Sequence, residues 1–367
     1  MTHPRFDRSR LVMHPLETRT NRVRIEQDHT SPNAKGRDLT AAESTIFDDL
    51  VERVLAAREG QAPVVMAFGA HTIKNGLAPV LIQLMEDGIL THLATNGAGI
   101  IHDWEFAFAG QSSEHVEANL VEGRFGNWEE TGYFINLALL VGAAEGRGYG
   151  ESVGSLVEHE GMNIPSVEEL LDLARDHAGN NPAEAAAALD LLERIRQFKI
   201  DAGFMKVPHP WKPYSVQAAA FRLGVPFTGH PMIGHDIIYN HPMNSGAAVG
   251  RAAERDFLSY AESISRLEGG VYLSVGSAVM SPMIFEKSLS MSQNLAQQRG
   301  ERIQNHFITV VDLAESGWDW SQGEPPEDHP EYYLRFNKSF SRMGGTMRYL
   351  QMDNRDFLLH LLQRTTS

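Results

Sequence analysis

Two segments decide the fold: Pro63-Val-Val-Met-Ala-Phe-Gly-Ala-His71 and Ile89-Leu-Thr-His-Leu-Ala-Thr-Asn-Gly-Ala-Gly99. Each is a short apolar run that stops at glycine. An apolar-periodic stretch, Leu77 to Asp87, joins them, and a further helical stretch is expected from Asp103. Strand, glycine turn and helix, repeated at once, is the rhythm of parallel strands joined by crossover helices. The expected fold class is α/β: a Rossmann-like, mostly parallel sheet with helices on both faces.

Working outward, residues 1–40 are polar and aperiodic and read as an arm or extended wrap. Ala41 to Arg58 has a helical period in Ile46, Leu50, Val54 and Leu55, with Thr40 as its cap. On the other side, residues 127–200 are mostly helical, an elaboration on the sheet rather than a second core. Strands are expected at Val225–Thr228, Gly270–Gly276, Phe307–Val311 and Met347–Gln351, with helices between and after them. Residues 317–335 carry Trp, Pro and acids and read as a functional loop or a subunit contact. The expectation is one domain, 41–367, preceded by the arm and carrying a helical insertion at about 150–200.

Composition narrows the function. The chain has 367 residues, 42% of them hydrophobic, ample for a large core. With 47 acidic and 32 basic residues the net charge is -15, which argues against a nucleic-acid binder. There is no cysteine, so thiolate chemistry, disulfides and thiolate metal sites are excluded. No apolar run reaches the ~18 residues of a membrane helix, and the Arg-rich start lacks the apolar centre of a secretory signal. A cytoplasmic protein is the expectation.

Glycine turns at strand ends expose backbone amides and helix N-termini, which accept phosphate. Three such turns occur: Gly69-Ala70-His71, Thr95-Asn96-Gly97-Ala98-Gly99 and Gly276-Ser277. None is a complete dinucleotide fingerprint or a Walker loop. Together they line one sheet edge and point to a dinucleotide, with His102 and Asp103 as further polar contacts. Lys74, just past the first turn, is a candidate imine former. The stretch Gly229-His-Pro-Met-Ile-Gly-His-Asp-Ile-Ile-Tyr-Asn-His-Pro242 places His230, His235, His241 and Asp236 close together. Imidazole suits proton transfer at neutral pH, and this loop is expected to form one wall of an active site. A divalent metal site on the same side chains is an alternative, although the spacing is not that of a helical zinc motif.

His92-Leu-Ala-Thr-Asn-Gly-Ala-Gly99 with Asp103, His235-Asp-Ile-Ile-Tyr-Asn-His241, Gly269-Gly-Val-Tyr-Leu-Ser-Val-Gly-Ser-Ala278 and Tyr349-Leu-Gln-Met-Asp353 together resemble the deoxyhypusine synthase family, its bacterial members above all. The resemblance implies a deoxyhypusine-synthase-like NAD-binding fold and a homotetramer with sites between subunits. It also implies NAD as cofactor and a small amine or polyamine as substrate, for aminoalkyl transfer or amine dehydrogenation. It puts the catalytic histidine on His241, the amine-binding aspartate on Asp236, and cofactor contacts on Thr95, Ala98, Gly99 and Asp353. One departure is large: the lysine that carries the family's imine falls on Ser281, which cannot form one. The family's amine loop is also not recognisable in Asp312 to Trp320. Authentic deoxyhypusine synthesis is therefore not expected. Two alternatives stand beside the enzyme: a non-catalytic nucleotide- or amine-binding protein of the same fold, and a metal-dependent hydrolase built on the histidine loop.

Overall fold

Six short runs of β-branched and aliphatic residues pair into one fully parallel sheet in the computed structural model, which describes residues 3–366. The strands are β1 (Val64–Phe68), β2 (His92–Asn96), β3 (Phe227–His230), β4 (Val271–Val275), β5 (Phe307–Asp312) and β6 (Thr346–Gln351). Their spatial order is β3-β2-β1-β4-β5-β6, that of a dinucleotide-binding doubly wound sheet. Every residue of β1 and of β4 is buried, as two-sided cover by helices requires. The Rossmann-like expectation is met at that level.

The chain forms two compact units, where one domain with an insertion was expected. The sheet unit comprises residues 28–99, 220–230 and 257–366; the helical unit comprises 3–27, 100–219 and 231–256.

In the sheet unit, one face of the sheet packs Val65, Ala67, Tyr272, Ile308 and Val310 against Phe285 of helix Met280–Gln298, with Tyr260, Ile264 and Phe340 in the same core. The helix Ala41–Glu59 starts in a full capping box between Thr40 and Glu43. Its buried stripe is Phe47, Leu50, Val54 and Ala57, whereas Leu55 is exposed. Residues 317–335, read as a functional loop or a subunit contact, pack on this unit. Trp320 is buried, and the Glu331 carboxylate accepts from the Gly317 and Trp318 amides at 2.6 and 3.3 Å.

The helical unit is built on Glu129–Ala144, Tyr149–His159, Val167–His177 and Pro182–Phe198. The last two form a hairpin set between the strands of an antiparallel ribbon, Gly161–Ile164 with Gly203–Lys206. The arm is docked rather than loose. Asn21–Arg24 pairs with Gln111–Glu114, and buried Arg19 makes a bidentate pair with Glu105 at 2.8 and 2.6 Å. No helix among the described residues is long and apolar enough to cross a membrane.

Candidate functional site

The strand order reverses between β1 and β4, and sheets of this order take their ligands beyond the carboxyl ends of the strands at that point, here Phe68 and Val275. Gly69 and Gly276 follow those strands. The Gly69 amide donates to the Val275 carbonyl at 3.2 Å, and a Cβ on Gly69 would collide with the Gly276 carbonyl. Gly276 has φ of +56°, a conformation glycine adopts without strain. Ser277 accepts the Ser281 amide at 3.2 Å, which orients its hydroxyl at the same edge. Ala70, His71 and Lys74 lie on the short helix Ala70–Lys74, and burial together with Lys74 lowers the His71 pKa.

The second glycine turn is the first turn of a helix, Gly97–Ala109, not a loop before one. Asn96 caps it, its side chain accepting the Gly99 amide at 2.9 Å. Thr95 is fully buried, with its hydroxyl on the Phe68 carbonyl at 2.9 Å, and Gly99 lies against its side chain.

Because that helix begins at Gly97, His102 and Asp103 fall in its second turn, within the helical unit. Each has partners within that unit. Asp103 is fully buried and accepts from Ser215 (2.6 Å), the Val216 amide (2.8 Å) and Gln217 Nε2 (2.9 Å), anchoring the start of the next helix. Burial pushes its pKa up and these bonds oppose it. His102 bonds Ser112 at 2.7 Å, and Ser112 donates to Glu105. Asp353 caps helix Asn354–Thr365, accepting the Arg355 amide at 2.8 Å. Ser281 is buried on the Tyr272 hydroxyl at 2.9 Å, a core contact.

The histidine stretch is divided between the two units. His230 ends β3 and belongs to the sheet unit, where its Nε2 meets Thr228 Oγ1 at 2.9 Å. The same hydroxyl meets His92 Nε2 at 3.0 Å. Burial drives both imidazoles down to about 3, so they are neutral. His235 is exposed. Among the described residues no group of three or more His, Asp or Glu side chains is placed to hold a metal ion.

Asp236 and His241 flank the turn Ile237–Asn240 in the helical unit. Side chains from elsewhere in the unit hold that turn and the residues just after it. Asn136 Nδ2 donates to the Ile238 carbonyl at 2.9 Å, and Arg8 donates to the Tyr239 carbonyl at 2.7 Å and Asn244 Oδ1 at 2.8 Å. Gly132 lets the helix approach His241: a Cβ there would lie 2.5 Å from the His241 Cβ. His241 Nδ1 accepts the Met243 amide at 2.9 Å, which leaves the proton of the neutral ring on Nε2, 3.4 Å from Glu129 Oε2. Burial lowers the His241 pKa, Glu129 opposes that, and Arg8 adds to it. Glu129 is a residue the sequence did not point to, since it lies 112 positions away with no motif around it.

Asp236 is buried, and its Oδ2 has no hydrogen-bond partner among the described residues. The hydroxyls of Tyr149 and Tyr239 are likewise buried and unpartnered, and both interact electrostatically with Asp236. Burial raises the Asp236 carboxyl to about 7. Buried polar atoms left unsatisfied in a native fold call for a missing partner, such as water or a ligand group.

No known protein family matches the chain, and no curated protein does. Solved structures of similar fold include an LOR/SDH protein from Methanococcus maripaludis S2, with TM-score 0.44 and 11% identity, covering 92% of this chain and 73% of that one. AgrE, solved in ternary complex with ornithine and NAD+, has TM-score 0.43 and 13% identity over 90% of this chain, which spans 34% of AgrE. The cyanobacterial arginine dihydrolase ArgZ has TM-score 0.41 and 12% identity, over 90% of this chain and 33% of its own. None of these is a deoxyhypusine synthase, and likenesses this loose assign no activity here. The family resemblance read from the sequence is withdrawn, and this chain stands as an α/β protein whose parallel sheet is ordered as in dinucleotide-binding folds.

Proposed function

We propose that the protein is an NAD-dependent enzyme acting on an amine, with the sheet unit as the place of the dinucleotide. The observation that carries this reading is the pair Gly69 and Gly276 at the switch point, packed so closely that neither backbone is shielded by a side chain. The amides of both glycines are engaged, on the Val275 and Val311 carbonyls, so what the pair offers a dinucleotide is close approach to the strand ends rather than free donors. The Ser277 hydroxyl, which accepts the Ser281 amide, keeps its own hydrogen to donate at the same edge.

Bound NAD supplies a hydride acceptor. An amine that gives up a hydride and a proton becomes an imine, so the chain must hold an ammonium and take a proton from it. Asp236, unpartnered beside two tyrosine hydroxyls, is the seat for the cation. His241 is a poor base as it stands, because Nδ1 is engaged by the Met243 amide and Nε2 bears the proton. Glu129, with its carboxylate half-exposed and beside that Nε2–H, is the proton acceptor of the pair. Lys74 lies on the helix after Gly69 and is left as an imine former to be tested by substitution.

The test is calorimetric titration of NAD, followed by an amine panel read as the absorbance of reduced cofactor. NAD should bind, Gly69→Val should abolish binding, and Glu129→Gln should remove turnover while sparing NAD affinity. Failure of NAD to bind would discard the reading; binding without turnover on any amine would discard its enzymatic half.

A further inference from the structure

The helical unit has a second concavity, of about 170 Å³, which the reading above leaves unused. It lies between helix Glu129–Ala144, helix Tyr149–His159 and the ribbon Gly161–Ile164 with Gly203–Lys206. It is small beside the ~300–1,000 Å³ of drug-sized ligand sites, and suits a small ligand.

The lining is divided. At one end Arg147 and Glu145 stand side by side at 2.7 Å, and Arg147 Nη1 also donates to Ser155 Oγ at 2.8 Å. His159 adds an imidazole, its Nδ1 3.2 Å from the same hydroxyl. The other lining residues include Val141, Leu156 and Met162, with Phe204 on the ribbon. Phe204 is 61% exposed, yet it is not loose: its ring rests on the backbone of Gly161 across the ribbon. A fixed, exposed aromatic at the rim of an apolar recess is a wall lacking its contents.

Two opposite charges held together select their ligand by exclusion. A simple anion drawn to Arg147 meets Glu145, and a simple cation drawn to Glu145 meets Arg147. A molecule that carries both charges on one carbon satisfies the pair. We propose that this cleft is a binding site for an aliphatic α-amino acid, whose carboxylate takes Arg147 and Ser155, whose ammonium takes Glu145, and whose side chain fills the recess under Phe204. The site does not rest on the dinucleotide reading. No group in its lining belongs to the Glu129, Asp236 and His241 set, so its occupant is an effector or a carried ligand rather than the amine held at Asp236.

The experiment is thermal shift and calorimetry with L-leucine and L-valine, beside two probes that each lack one charge, 3-methylbutylamine and 4-methylpentanoate. The amino acids should raise Tm and bind at least about tenfold more tightly than either probe, a gap of roughly 1.4 kcal/mol. Arg147→Gln and Glu145→Gln should each remove that advantage. Phe204→Ala, a change on the exposed ribbon that leaves the fold intact, should weaken L-leucine by about tenfold. NAD affinity should be the same in all three variants, which separates failure here from failure of the dinucleotide site. No Tm shift with any aliphatic amino acid, or equal binding of the singly charged probes, or full affinity in both charge variants, would overturn the assignment.

Discussion

Asp236 is the residue whose charge state decides what the helical unit can hold. Its ordinary carboxyl would be ionised throughout the physiological range, but burial lifts it to about 7, with Tyr149 and Tyr239 the groups that face it. An ammonium binds the ionised form. Affinity for a monoamine should therefore be flat above pH 7 and fall about tenfold for each pH unit below it, because each such unit protonates the carboxyl tenfold further. Calorimetry from pH 5.5 to 8.5 reads this directly, and Asp236→Asn should be weak and without slope. A wild-type profile that stays level across that range would mean Asp236 is not the seat. His92 runs the opposite way. It is neutral and buried between Ser263 and Thr228 at 2.8 and 3.0 Å, so it contributes stability above its unfolded pKa that is lost as pH falls towards about 3.

Among the elements, helix Glu129–Ala144 positions most of the proposed proton-transfer pair, Glu129 and His241. It supplies Glu129, makes room for His241 at Gly132, and pins the turn Ile237–Asn240 through Asn136. Gly132→Ala inserts a methyl where the His241 Cβ already lies, and overpacking of that kind costs about 1–3 kcal/mol. Tm should drop, and the imidazole NMR signal of His241 should lose its dependence on Glu129→Gln. A variant with unchanged Tm and unchanged coupling would show that the helix tolerates the methyl without moving the ring. The sheet elements were legible in the sequence because buried parallel strands need unbroken apolar runs, and β1, β4 and β5 lie within a residue or two of where those runs fall. β2 was read too early, as Ile89–Ala94 instead of His92–Asn96, since Ile89 and Leu90 are buried in the turn before it. That shift carried the helix start from Gly97 to Asp103 and made an anchoring carboxylate look like a ligand contact. Glu129 was invisible for a different reason: pairing across distant segments leaves no local pattern.

For the whole molecule, the arrangement of the chain matters more than its length. Each unit is assembled from three separated segments, so no single cut yields either one. Expressing residues 1–150 or 151–367 alone should give chains without a cooperative thermal transition, because each lacks pieces of both cores. Mixing the two halves should restore the transition only if they are refolded together. A sharp transition in either half alone would contradict the division. The apolar composition signalled a large core, but periodicity is blind to which segments share it, and so residues 127–200 read as a helical elaboration on the sheet with an insertion at about 150–200.

The meeting of Gly69 with Gly276 also sets a clock on biosynthesis. β1 is flanked in the sheet by β2 and β4, and β4 leaves the ribosome only after the whole stretch that separates them. At 5–20 residues per second that is a wait on the order of 10–40 s, during which one edge of a fully apolar strand has no neighbour. The nascent chain must be sheltered for that interval, so the yield of native protein should depend on translation speed and holdase supply more than its final stability implies.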